Sequence, residues 1–346
     1  MNFLALAAVR VVAAMSDAQY SLAPAGEQGG SIAKLWWLYF WVLSAIFILT
    51  ALFVFFAVFP RRTQLRTSDD RIEVAEPPPS TERKLSGVVI GAVITSIIIL
   101  FVLLFIDFFT GRSIYALENQ STGDAAKDAL KIKITGHQWW WQVEYQNEAD
   151  PSKMITTANE LHIPVGRPVK LTLNSDDVIH SFWVPNMHGK KDLIPGHPTE
   201  MWLRATEPGT FRGQCAEFCG LQHAHMRLTF VSENPEQFDA WMKSSQTDAP
   251  APQTPSEQHG LEVFMSNQCM MCHSISGTNA RATVGPDLTH IGSRDMLAAG
   301  AMPNTRGYLA GWIANPQNIK PGVRMPPNEL SSDDLNALVD YLESLK

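Results

Sequence analysis

The 346 residues carry 27 Lys and Arg against 34 Asp and Glu, a net charge of −7. That length points to two or three domains, and the acidic balance excludes a nucleic-acid binder, which needs a basic patch or stripe. Hydrophobic residues make up 45% of the chain, and much of that share sits in two runs too long and apolar to remain in water.

In chain order, residues 1–34 form an N-terminal outer segment. Its stretch 3–15 is weakly apolar, as in a signal peptide, but Arg10 interrupts it and no clear small-residue cleavage site follows. Residues 35–59 and 87–109 are nearly uninterrupted apolar sequence, the second broken by Asp107. Each exceeds the roughly 20 residues a helix needs to cross a bilayer. Neither has the polar stripe of a soluble helix. Residues 35–110 therefore read as a transmembrane helical hairpin, with Trp36, Trp37, Tyr39 and Trp41 as an aromatic belt. The connecting loop holds Arg61, Arg62, Arg66, Arg71, Arg83 and Lys84, which places it in the cytoplasm. The N-terminus and everything beyond Arg112 then face outward, to a periplasmic or extracellular side.

Residues 111–245 change character. Short alternating runs at 131–135, 161–164, 169–173, 201–205 and 227–231 are separated by Gly, Pro, Asn and Asp, the pattern of an all-β sandwich or barrel. Between the last two runs lies Cys215-Ala216-Glu217-Phe218-Cys219-Gly220-Leu221-Gln222-His223-Ala224-His225-Met226. Two thiolates, an imidazole and a thioether in one short loop are soft ligands that select copper. A single blue-copper site takes two His, one Cys and a weak Met. Two cysteines four apart can instead bridge two coppers, and the second imidazole must come from elsewhere. His180, at the end of a strand-like run in Asp177-Val178-Ile179-His180-Ser181-Phe182-Trp183-Val184-Pro185, is the candidate. A Cys215–Cys219 disulfide leaves the His and Met spacing unexplained, and zinc is the second choice of metal.

These residues resemble subunit II of the haem–copper cytochrome c oxidases over about 35–232. Gly136-His137-Gln138-Trp139-Trp140-Trp141, the His180-to-Pro185 run and the Cys215-to-Met226 run carry the likeness. The resemblance implies a cupredoxin fold with a mixed-valence dinuclear copper centre bridged by Cys215 and Cys219. His180 and His223 would each ligate one copper, with Met226 and the Glu217 backbone carbonyl as weak ligands. The Glu217 side chain would turn toward a magnesium site shared with subunit I. Trp139 would be the position through which electrons reach the copper. Three adjacent Trp on a strand alternate between faces, so at least one packs in the core. His137, His188, His197 and His225 read as structural or solvent-facing. The likeness fails at two points. No acid occurs between Leu85 and Ile106, Glu82 being nearest, so a proton-uptake carboxylate in the second helix is missing. Pro195-Gly196-His197 stands where the family often has Pro-Gly-Arg.

Residues 246–258 are polar and Pro-rich, a semi-extended spacer. Residues 259–346 follow as an all-α unit. Residues 260–267 read as helix and lead into Cys269-Met270-Met271-Cys272-His273, a C-x-x-C-H haem attachment site. With it, all four cysteines of the chain fall in cofactor motifs. Cys269 and Cys272 would form thioethers to haem, with His273 as proximal iron ligand. Met325, in the Pro-rich run Lys320-Pro321-Gly322-Val323-Arg324-Met325-Pro326-Pro327, is the expected sixth ligand, ahead of Met302 and Met296. Met270 and Met271 are expected at the haem edge. Residues 331–334 then cap an amphipathic C-terminal helix. This stretch resembles a class I cytochrome c, with Gly260, Phe264 and Tyr341 at its helix crossing.

The combined reading is an electron-transfer subunit of a membrane-bound, proton-translocating oxidase. A covalent haem c accepts electrons from a cytochrome c or a quinol-oxidising complex and passes them to the copper pair. They then go to the oxygen-reducing site of subunit I, with subunit III as a further partner. Two other readings compete: a redox carrier serving a nitrogen-oxide reductase, and a copper-delivery protein. The membrane hairpin disfavours the first and the haem motif the second.

Overall fold

The computed structural model describes residues 19–58, 79–119, 128–147, 150 and 154–346. Residues 31–116 form one compact unit, and the described residues up to Gly30 with Leu117–Lys346 form the other. The stretch 3–15 and the loop arginines 61, 62, 66 and 71 lie outside the described residues.

The first unit is built from most of α1 (Glu27–Val58) and most of α2 (Pro79–Asn119). Both helices outrun the apolar stretches that announce them. Pro79 starts the second one in the position where a missing N–H costs nothing. Glu82, Arg83 and Lys84 then propagate it through residues that favour helix and that water can solvate. Most of the apolar side chains on both helices are exposed, with Ala33 and Leu103 buried, as in helices that are apolar on nearly every face and meet lipid. Thr50, Thr95 and Thr110 each donate their hydroxyl to the carbonyl one turn back, at 2.8 Å, so these groups take no unmet hydrogen bond into lipid. Trp36 stacks on Phe40 and Trp37 on Trp41, with centroids 5.3 and 6.3 Å apart, as a belt at one end of α1.

The second unit opens as a sandwich of two five-stranded sheets. One has the order β3-β2-β1-β5-β8, formed by Ile155–Ala158, Trp140–Tyr145, Leu130–His137, Val169–Ser175 and Thr199–Leu203. The other runs β4-β10-β9-β6-β7, formed by Glu160–Pro164, Arg227–Glu233, Gly209–Cys215, His180–Trp183 and Lys191–Leu193. The β1–β5 and β4–β10 pairs are parallel, and the remaining pairs are antiparallel. Alternation places Ile132 and Ile134 of β1, Leu171 of β5, Leu161 of β4 and Phe230 of β10 in one core with Trp141 and Phe182. Chain residues 25 and 26 join this body through a bridge from Gly26 to Ala205.

Alternation does not mark every strand. The first three residues of β6 are all buried, so its sequence shows no period of two. His180 was expected to end a strand and instead opens β6. Trp139 was expected on a strand with its two neighbours; it lies in the turn before β2, and only Trp140 and Trp141 alternate.

Beyond α3 (Pro235–Ser245) the chain enters a helical region of α4 (Pro255–Ser266), α5 (Arg306–Ala314) and α6 (Ser332–Ser344), with a short β11–β12 ribbon at Met296–Leu297 and Met302–Pro303. The expected spacer 246–258 is shorter than its composition implied. Thr254 and Glu257 form a capping box, with Pro255 in the first helical turn, and start α4 inside it. Ser331 caps α6 by accepting from the Asp334 N–H through its hydroxyl. The helices α4 and α6 cross at Gly260, where an added Cβ would lie 2.1 Å from the Ala337 carbonyl oxygen and 2.7 Å from the Tyr341 Cβ. Phe264 meets Tyr341 edge-on at 6.5 Å beside this crossing.

Candidate metal centre and haem cleft

The end of β9 and the loop before β10 present Cys215 and Cys219, both 3% exposed. Their Sγ atoms stand 3.8 Å apart. His180, fully buried at the start of the neighbouring β6, brings Nδ1 to 3.9 Å from the Cys215 sulfur. His223, on a single turn of 3-10 helix, brings Nδ1 to 3.6 Å from the Cys219 sulfur. The Met226 thioether lies 3.9 Å from Cys219 and the Glu217 carbonyl oxygen 3.2 Å from Cys215. All six sequence-predicted groups are therefore in one place, and the donors are four soft or borderline atoms with two weaker ones beside them. Two thiols this close cannot both lose a proton freely. Their mutual contact holds Cys215 far below the usual thiol range and, with burial, pushes Cys219 up. A soft metal cation beside both sulfurs would relieve that conflict, so the donor set fits copper.

The surroundings fix the ligands. Burial would lower His180, but hydrogen bonds to Asp177 and Cys215 outweigh it and leave its pKa raised. Asp177 accepts from His180 Nε2 at 2.9 Å and from the Gln138 and Val178 N–H groups at 2.7 Å. Nε2 is thereby engaged and Nδ1 is left for metal. Gly136 packs on the same ring: a Cβ there would sit 2.8 Å from His180 Cδ2. The Cys219 carbonyl accepts from both Gln138 Nε2 and Trp139 Nε1, at 2.8 and 3.0 Å. The Glu217 carboxylate is turned out of the cluster, 3.9 Å from Lys190 Nζ and 45% exposed.

The helical region encloses an apolar cleft lined by Cys269, Cys272, His273 and Met325, with Trp139 on its copper-side wall. The two cysteines form no disulfide. His273 Nδ1 lies 2.7 Å from the Pro286 carbonyl, which commits that nitrogen and leaves Nε2 for iron. Burial lowers the pKa of His273, keeping the imidazole neutral. Gly285 permits the approach, since a Cβ would come within 2.8 Å of the ring. The Met325 loop is pinned by Gln317 Nε2, which donates to the Val323 and Met325 carbonyls. Met296 also lines the cleft, while Met302 is buried in the helical core instead. Of the two methionines between the cysteines, Met271 borders the cleft and Met270 packs against the core. Thiols, an imidazole and a thioether converging on one apolar slot fit a covalent haem.

His137 stacks on Trp140 at 4.3 Å and contacts Gln142 at 3.3 Å. His225 contacts Gln222 Oε1 at 2.7 Å. Neither reaches the sulfurs, as expected. His197 is exposed, and burial pushes His188 down to about 4. Sequence reasoning passed over Asp177, Gly136 and Lys320. Asp177 was findable, because a metal-binding His commonly donates its other ring N–H to a carboxylate and Asp177 stands three residues before His180.

The family model for the cytochrome c oxidase subunit II periplasmic domain matches residues 147–232, and that for cytochrome c matches 258–346. Cytochrome c oxidase subunit 2 of Alkalihalophilus pseudofirmus is 39% identical over 238 residues, covering 68% of this chain and 67% of that protein. The chain belongs to the cytochrome c oxidase subunit II family. Its Bacillus subtilis relative of the same name is 31% identical over 250 residues, covering 67% of this chain and 68% of that protein. A solved periplasmic domain of subunit II from Bradyrhizobium japonicum is 30% identical, covering 34% of this chain and 93% of that one with a TM-score of 0.32. As a subunit II with a cytochrome c domain, the chain is an electron-transfer component of a membrane-bound haem–copper oxidase. It works with copper and haem and with the other oxidase subunits.

Proposed function

We propose that Cys215, Cys219, His180, His223, Met226 and the Glu217 carbonyl hold a dinuclear copper centre. A covalent haem c is held by Cys269 and Cys272, with His273 and Met325 as its axial ligands. The observation that carries the reading is the cluster of four further donors around a 3.8 Å Sγ–Sγ pair. When bound, the two groups supply one-electron centres that relay charge from a donor toward the oxygen-reducing subunit. The chain's own residues do the rest. Asp177 and Gly136 orient His180, Pro286 orients His273, and the surrounding core excludes water from the thiolates.

Trp139 is 8% exposed. With its indole on the Cys219 carbonyl and its ring in the haem cleft, it serves input from this chain's own haem rather than from a separate protein docked on the copper domain. An external cytochrome c or a quinol-oxidising complex then delivers its electron to the haem region. The outward Glu217 carboxylate is assigned to a magnesium ion shared with subunit I. Subunit III completes the assembly. The apolar spans sit in a bacterial inner membrane with both cofactor regions in the periplasm.

The test is an EPR and visible spectrum of the purified oxidase. Hyperfine structure from one electron shared by two coppers, beside a low-spin His/Met haem c, is expected. Cys219→Ala should abolish the copper signal and turnover while leaving the haem spectrum intact; retained turnover overturns the copper assignment.

A further inference from the structure

Lys320 is 2% exposed, yet it carries an ammonium group. Its Nζ donates to the Trp139 carbonyl at 2.7 Å and to the Ala298 carbonyl at 3.0 Å. Those are neutral acceptors, and they leave a third N–H. Among the described residues no carboxylate stands within ion-pair distance of it. Burying an unpaired cation is costly, and proteins normally avoid it by pairing or neutralising the charge. Burial accordingly pushes Lys320 down to about 7. The other buried cation of the same cleft is differently served. Arg294, 8% exposed, has Glu160 at 3.6 Å and donates to the Asp287 carbonyl at 2.8 Å.

Both side chains line the cleft that holds Cys269, Cys272, His273 and Met325. A haem brings two propionate carboxylates into any site that binds it. The missing anion beside Lys320 therefore has a source of matching chemistry in the same slot. Lys320 lies five residues before Met325, at the start of the loop whose carbonyls Gln317 holds, so its backbone is fixed relative to the axial Met.

We propose that Lys320 is the counter-ion of a haem propionate and ties that carboxylate to the Trp139 carbonyl at the copper-domain wall of the cleft. This rests on the haem reading above. Charge-assisted hydrogen bonds of this kind are short and strong. The ammonium also favours the reduced haem, which carries one more negative charge than the oxidised form.

The purified oxidase complex carries the test, with haem isotopically labelled at the propionate carboxylates. Lys320→Gln keeps N–H donors for the two carbonyls but removes the charge; Lys320→Arg keeps the charge. The Gln variant should lower the haem c reduction potential and shift the labelled carboxylate band in the redox infrared difference spectrum. The Arg variant should restore both toward wild type, and the copper EPR signal should stay unchanged in both. A labelled band unmoved in a haem-loaded Gln variant overturns the proposal, since a lysine that merely tethers two carbonyls would leave it so. If the variant fails to load haem, the wild-type complex decides: a structure with Nζ about 3 Å from a propionate oxygen supports the pairing, and one with no propionate in reach overturns it. Absence of covalent haem from the wild-type chain, read by the pyridine haemochrome spectrum, is the separate result that removes the haem reading and the proposal with it.

Discussion

At the residue scale, the proposed copper ligands are held by neighbours that act through shape or a hydrogen bond. Gly136 is the sharpest case, because a methyl group there would press into the His180 ring at 2.8 Å. The ring cannot retreat, since Asp177 fixes its far nitrogen and Trp141 stands edge-on 6.1 Å away. Gly136→Ala should therefore weaken copper binding by ~10–100-fold, the range for disturbed orienting contacts, with the haem spectrum unchanged. Copper titration against a competing chelator measures it, and wild-type affinity would show that the ring has room to move. The grouping of the donor side chains was legible in the sequence, because Cys215, Cys219, His223 and Met226 fall within one short run. The orienting groups were less so. Nothing in the letters Gly136 or Lys320 reveals a close approach or a buried charge; both arise only when distant strands or loops pack.

At the element scale, the haem region depends on how its helices meet. The α4–α6 crossing is set by Gly260, whose added Cβ would collide with the backbone of Ala337 rather than with a flexible side chain. Gly260→Ala should cost about 3 kcal/mol, the upper part of the overpacking range. Guanidinium unfolding followed at the haem absorbance reads it, and an unchanged midpoint would mean that the helices separate freely. A second tie joins three helices: Asp340 on α6 pairs with Arg306 on α5 and accepts from the Ser256 hydroxyl on α4. The Ser256 hydrogen bond and the Arg306 guanidinium outweigh partial burial and hold Asp340 below the usual carboxylate range. A depressed carboxyl contributes stability that is complete above its unfolded value near ~3.9 and is lost as pH falls through the folded one. Asp340→Asn should thus flatten the loss of haem-region stability below about pH 4, while leaving neutral-pH behaviour little changed in its pH slope. Denaturation midpoints across that acid range, wild type against variant, check it. The sequence capping signal at 331–334 located the start of α6. The α4 start was misplaced because Pro and polar residues in 254–258 read equally as spacer and as helix cap.

At the scale of the whole molecule, the copper and haem regions meet through specific side chains. Arg294 reaches Glu160, Gln222 Nε2 donates to the Pro321 carbonyl at 2.8 Å, Lys320 holds Trp139, and Arg324 faces Asp177 at 3.6 Å. Gly322 lets the Met325 loop close on Leu221 and Trp139, where a Cβ would meet them at 3.2 and 3.5 Å. Transfer from haem to copper should therefore be first order and independent of protein concentration. It should also change little as salt rises from 0.1 to 1 M and the screening length falls from about 10 to about 3 Å, because Lys320, Arg294 and Gln222 are buried at the contact and only the Arg324–Asp177 pair, through its exposed Arg324, is open to screening. Flash-induced electron injection followed at both cofactors tests this; a rate that falls with salt or dilution would mean that the two regions separate between turnovers.

The sequence by itself determined the membrane hairpin, the two cofactor motifs and their order. Apolar runs of bilayer length and soft ligands at fixed spacing are local facts that no packing can alter. Only the tertiary structure decided that His180 opens a strand beside Cys215, that Trp139 leaves its strand to face both cofactor regions, and that Lys320 is buried at their junction. Each of these depends on residues tens to nearly two hundred positions apart, brought together because two sheets bury one core and a glycine-bearing loop closes against it.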